Sequence, residues 1–139
     1  MSVILLNSLV SMFMTGIIWI IQLVHYPCFR FVSEHQWEES HSHHVSHISW
    51  IVAPMMVLEL GLRGWLIYSQ FNWVTVSATI LLIVIWGSTF AIQVPIHNEL
   101  ESGKSEELIH KLVRTNWIRT VAWTLSSVLL LIGYTLNLS

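Results

Sequence analysis

The sequence predicts an all-α integral membrane protein built as a bundle of four transmembrane helices. Three observations lead there. Hydrophobic residues make up 54% of the 139-residue chain and charged residues only 10%, against about 25% charged in an ordinary soluble domain. Charge this sparse cannot cover a water-facing surface. Four apolar runs each approach the ~20 residues needed to cross a bilayer core. The chain also carries eight tryptophans and no aspartate, and Trp suits the headgroup zone, where the ring is buried and its N–H stays wet.

Residues 1–139 form a single domain with expected spans at Val3–His25, His47–Ser69, Trp73–Val94 and Asn116–Leu138. The first run lacks the basic opening and small-residue cleavage site of a secretory signal, so it is read as a retained span. Only "QFN" separates the second run from the third, which makes them a tight antiparallel hairpin. The remaining connections, 26–46 and 95–115, are longer and polar, and with an even number of spans they share one side of the membrane. Ser105 before Glu106 and Glu107 has the pattern of a helix N-cap with acids at the positive end of the dipole. Trp37, His44, Ile48 and Ile51 recur at helical spacing, so the second helix starts before the membrane does.

The side with the long connections carries Arg30, Lys104, Lys111, Arg114 and Arg119, and the opposite side only Arg63. By the positive-inside rule the long connections face the cytoplasm. The expected location is the inner (plasma) membrane with both termini outside. A net charge of −2 makes no case for a nucleic-acid partner. Cys28 stands alone and offers neither an internal disulfide nor a thiolate metal site.

The topology collects histidines at one end. His25 closes the first span, His44 and His47 open the second, and His97 closes the third. Pairs three or four residues apart, His44 with His47 and His43 with His47, share a helix face about 5–6 Å apart. With His25 and His97 they make a candidate site of three or four nitrogens for a metal ion, to which Glu99 could add a carboxylate. Glu34, Glu38 and Glu39 are candidate acceptors for the outer ring N–H groups. Imidazole suits iron, copper or zinc, so ligand type alone does not name the metal. His35, His41 and His43 sit in a Ser/Glu-rich stretch and read most simply as solvated; His110 lies on an exposed-looking face.

Other polar positions surround the same end. Gln22 and Gln93 each precede a histidine by one turn. Asn116, Arg119 and Trp123 share a face of the fourth helix, where Arg119 could clamp an anion or snorkel to phospholipid. Glu59 and Arg63 sit i, i+4 in the favourable order for an ion pair, about 18 Å beyond His47 along the helix. They neutralise each other within the bundle, and a proton-relay role for Glu59 is secondary. Pro54 lies between them and the histidines and could kink the helix.

Three stretches carry a resemblance to a known family. They are Gly16 to Pro27 across the first span, "PIHNEL" (Pro95–Leu100) closing the third, and "NWIR" (Asn116–Arg119) opening the fourth. In these the chain resembles the small four-helix membrane proteins of the anthrone-oxygenase-like group. The resemblance implies a four-helix fold, Asn116 and Arg119 at the working end, and oxygenation of polyketide anthrones without a metal. His97 stands where that group has Asn, and His25, His44 and His47 have no placed counterpart in it.

The expected function is therefore a membrane oxidoreductase or oxygenase acting on a lipophilic substrate or lipid. In this expectation His25, His44, His47 and His97 hold a metal, non-heme iron before copper or zinc, with Arg119 and Asn116 orienting the substrate's polar end. One alternative is heme ligated by His25 and His97. A second is a non-catalytic transporter or partner subunit. A third is a cofactor-free oxygenase with a histidine as general base. So short a chain has little material to enclose a large substrate, which favours a homo-oligomer.

Overall fold

The computed structural model describes residues 2–136. Four helical rods run through them: α1 (Val3–Phe31), α2 (Glu34–Ser69), α3 (Trp73–Glu101) and α4 (Glu106–Thr135). Each is long and apolar enough to cross a membrane. Among the described residues there is no strand, so the fold is an all-α, four-span membrane bundle. The expected end of the fourth span, Leu138, lies outside the described residues.

Helix starts follow local chemistry. The Asn72 side chain accepts from the N–H groups of Val74 and Thr75 at 2.9 and 3.1 Å. The Thr75 hydroxyl accepts the Asn72 N–H at 3.1 Å, closing a reciprocal cap. Ser105 accepts the Leu108 N–H at 3.3 Å and is followed by Glu106 and Glu107.

The two polar connections are shorter than their composition indicates. Helix persists until only residues 32–33 and 102–105 remain outside it on that side. α1 and α3 both pass through a proline, and both do so by the same device. A π turn covers Ile21–His25 in α1 and Thr89–Gln93 in α3. The residue before each proline bonds five residues back, Tyr26 N–H to Ile21 and Val94 N–H to Thr89. The widened turn admits the pyrrolidine ring and absorbs the missing donor, so Pro27 and Pro95 continue the helix rather than ending it. The two π turns carry Gln22 and Gln93.

α4 is the central element, packed along α1 and α3. Gly133 permits that approach, since a Cβ there would lie 2.8 Å from a Val74 methyl carbon. α2 is peripheral: 11% of its most apolar stretch is buried, against 44% for α1 and α4.

Away from the histidines, one polar network joins all four helices. Glu59 accepts from the Ser11 hydroxyl at 2.6 Å and the Trp123 indole at 2.9 Å, and Arg63 lies 3.5 Å away. Arg63 also donates to Asn7 at 2.9 and 3.0 Å, to Ser126 at 3.1 Å and to the Ala78 carbonyl. The expected ion pair therefore exists, and hydrogen bonds satisfy both of its members, as burial in a low dielectric requires.

Candidate functional site: a histidine–tyrosine–arginine chain at the end of an apolar cavity

The buried face of the first turns of α2 reads Trp37, His41, His44. Trp37 and His41 are each 2% exposed and His44 7%. Trp37 anchors the face, donating its indole N–H to the Leu100 carbonyl at 2.9 Å and stacking on His41. His41 thus enters the core; it is not the solvated residue that its Ser/Glu-rich surroundings indicate.

His97 of α3 is held on both ring nitrogens. Its Nδ1 lies 3.1 Å from His41 Nε2, and its Nε2 lies 3.1 Å from the Tyr26 hydroxyl. Arg119 Nη2 approaches that hydroxyl at 3.3 Å. Donor inventory sets the direction of the chain when both imidazoles are neutral. A guanidinium only donates, so the Tyr26 oxygen accepts from Arg119 and turns its proton to His97 Nε2. His97 then donates from Nδ1 to His41. The order is Arg119, Tyr26, His97, His41.

The two glutamines hold the base of the site. Gln22 accepts the Asn116 amide at 2.8 Å and donates to the Val113 carbonyl at 3.0 Å. Asn116 in turn accepts from Arg119 Nε at 2.9 Å. Gln93 donates to Thr115 at 2.9 Å and accepts from Arg119 at 3.5 Å. The guanidinium is thereby fixed against α1, α3 and its own helix by neutral groups alone.

His44 differs from His97. It stacks on His25 at 4.1 Å between centroids, and among the described residues no hydrogen bond reaches either of its ring nitrogens. His25 Nε2 is buried with no hydrogen-bond partner among the described residues.

Several expected ligands lie elsewhere. His47 is exposed, stacked on His43 at 3.8 Å and bonded to the His43 carbonyl. It lies about 60° around α2 from His44 and about 120° from His41, so the buried face, which runs through His41 and His44, leaves His47 outside its edge. Glu99, Glu34, Glu38 and Glu39 are exposed and take no hydrogen bond from a histidine among the described residues. His110 meets Arg30 at 3.0 Å on the surface. Among the described residues, no group of three or more His, Cys, Asp or Glu has the arrangement of a metal site. The stacked His25 and His44 rings, 26° apart in plane, hold their in-plane lone pairs in separate, nearly parallel planes, and both nitrogens of His97 are already engaged.

A cavity of about 340 Å³ opens beside this chain, within the size range of small-molecule sites. Its body is apolar, formed by residues such as Met14, Ile18, Met56, Trp86 and Trp123. Tyr26, His44, Gln93, His97 and Arg119 close its polar end. Val57, Phe90 and Val94 line it while remaining exposed, so its mouth lies between α2 and α3 on the apolar flank of the bundle.

Tyr26 and His41 are the functional candidates that sequence reasoning missed. His41 had a usable signal, since Trp37, His41, His44 and Ile48 fall at i, i+4, i+7 and i+11. Tyr26 had only its place beside Pro27. Comparison with protein-family models, curated proteins and solved structures finds no match to this chain.

Proposed function

We propose that the protein is a membrane oxidoreductase, in its most specific form an oxygenase, that admits a lipophilic substrate from the bilayer through the gap between α2 and α3. The observation that carries this reading is the placement of the Arg119–Tyr26–His97–His41 chain at the closed end of an apolar cavity with a lipid-facing mouth. Such a site combines solvent exclusion with proton handling, which activated-carbon chemistry needs.

His44 is the proposed proton acceptor, because it lines the cavity and, among the described residues, no hydrogen bond engages its ring nitrogens. A methylene flanked by carbonyl or aryl groups would yield a proton to His44, and the resulting carbanion would give its electrons to dioxygen. The balance closes as R2CH2 + O2 → R2CO + H2O, with no further reductant. The resemblance to anthrone oxygenases fits this chemistry. The basic residues around the polar end would place that end at the cytoplasmic face.

A metal ion is the second reading, favoured by the buried His25 Nε2, which lies beside His44 and has no hydrogen-bond partner among the described residues. His25, His44 and His97, with rotated rings and with His41 in place of His47, would be the residues to hold iron, copper or zinc. The ion would supply oxygen activation.

Anthrone is a suitable probe for purified protein in lipid nanodiscs. Wild type should form anthraquinone with matching oxygen uptake, above the protein-free rate, and His44→Ala should fall to that rate. Elemental analysis of the same samples separates the two readings. A wild-type rate equal to the protein-free rate would sink the oxygenase reading.

A further inference from the structure

We propose that the cavity's ligand binds as a lipophilic monoanion, with a carboxylate or phenolate oxygen seated on Arg119. This rests on the reading of the cavity as the substrate site and adds the charge class of the substrate.

The bundle buries two guanidiniums and treats them differently. Arg63, 1% exposed, has Glu59 within 3.5 Å. Arg119, 7% exposed, has no carboxylate within ion-pair distance among the described residues. Its acceptors are Asn116, Tyr26, Gln93 and Thr89, all uncharged. A cation in a low-dielectric interior is costly unless an opposite charge accompanies it, and at Arg63 the chain itself supplies one. Arg119 also lines the cavity, so the missing charge has a place to sit.

The arrangement around Arg119 suits an arriving anion. Bonds from Nε and Nη2 to Asn116 hold the plane of the guanidinium, and that amide is itself held by Gln22. Among the described residues Nη1 makes only a long contact of 3.5 Å, to Thr89, which leaves donor capacity for an acceptor. A second donor stands along the wall: Trp86 lines the cavity, and its buried indole N–H has no partner among the described residues. The apolar body then takes the rest of the ligand and the mouth takes any tail.

A matched pair of probes tests this without chemistry. Anthracene-9-carboxylate and 9-anthracenemethanol share a ring system and differ in charge, and both quench tryptophan emission. Titrated into full-length protein in nanodiscs of zwitterionic lipid, the carboxylate should bind wild type about tenfold or more tighter than the alcohol. That preference should vanish in Arg119→Gln and persist in Arg114→Gln, which removes an exposed cation. Arg119→Lys keeps the charge and should retain part of the preference. Equal affinity of the two probes for wild type would overturn the anion inference while the cavity reading stands. A preference that survives in Arg119→Gln would also overturn it. Failure of both probes to bind wild type would overturn the inference and the cavity reading together.

Discussion

The Tyr26 hydroxyl and His97 Nε2 lie 3.1 Å apart, joining the first and third spans at the residues next to and just beyond their π turns. Tyr26 is the residue immediately before Pro27, and His97 lies two residues beyond Pro95. The turns that admit the prolines thus set the register in which phenol and imidazole meet, consistent with the frequent placement of π turns at functional sites.

Removing that hydroxyl should be felt at both ends of the chain. Tyr26→Phe takes an acceptor from Arg119 and a donor from His97, and is expected to destabilise the bundle by about 1–3 kcal/mol. Chemical unfolding in mixed micelles reads this. In a cycle with His97→Gln the two losses should be non-additive, with a coupling of about 0.5 kcal/mol or more. Strict additivity would mean that the bond contributes nothing.

The histidines of α2 should divide by face. His41→Ala removes a buried ring stacked on Trp37 and bonded to His97, so its unfolding midpoint should fall clearly. His43→Ala and His47→Ala truncate exposed rings and should leave the midpoint where it is. If His47→Ala destabilised as much as His41→Ala, the assignment of faces would be wrong.

Glu59 and Arg63 form a pair whose members depend on each other. Glu59→Gln leaves a buried guanidinium without its counter-charge and should cost about 3–5 kcal/mol. The double replacement Glu59→Leu with Arg63→Met should cost less than Glu59→Gln alone, because it leaves no stranded charge. The same unfolding assay compares them, and a double variant worse than the single would contradict the pairing.

Gly133 marks a close approach of α4 to α3. Gly133→Ala places a carbon 2.8 Å from Val74, a β-branched side chain with little room to turn. Overpacking of this kind costs about 1–3 kcal/mol. Val74→Ala in the same chain should recover most of the loss, which thermal denaturation by circular dichroism would show.

The fold class was legible because it depends on composition and run length, which are properties of the chain alone. Four apolar runs, the short "QFN" link and the cap at Ser105 follow from local chemistry. So does the gathering of His25, His44 and His97 at one end, since an antiparallel four-span topology leaves no other arrangement. The ion pair of Glu59 and Arg63 was legible from its i, i+4 spacing.

What only the tertiary structure decided is which side of each helix faces inward. His41 and His47 flank His44 at equal separation in sequence, and local polarity made the buried one look solvated. Packing of Trp37 onto Leu100 selects the face carrying His41, because it buries a large indole while satisfying its N–H. The helical continuation through Pro27 and Pro95 was equally hidden, since a proline read alone signals an end and the π turn that accommodates it has no sequence mark. The cavity and the neutral surroundings of Arg119 arise between helices, and Tyr26 meets His97 and Arg119 across 71 and 93 residues of sequence. Such contacts depend on helix register and rotation, which the order of residues along any single helix does not contain.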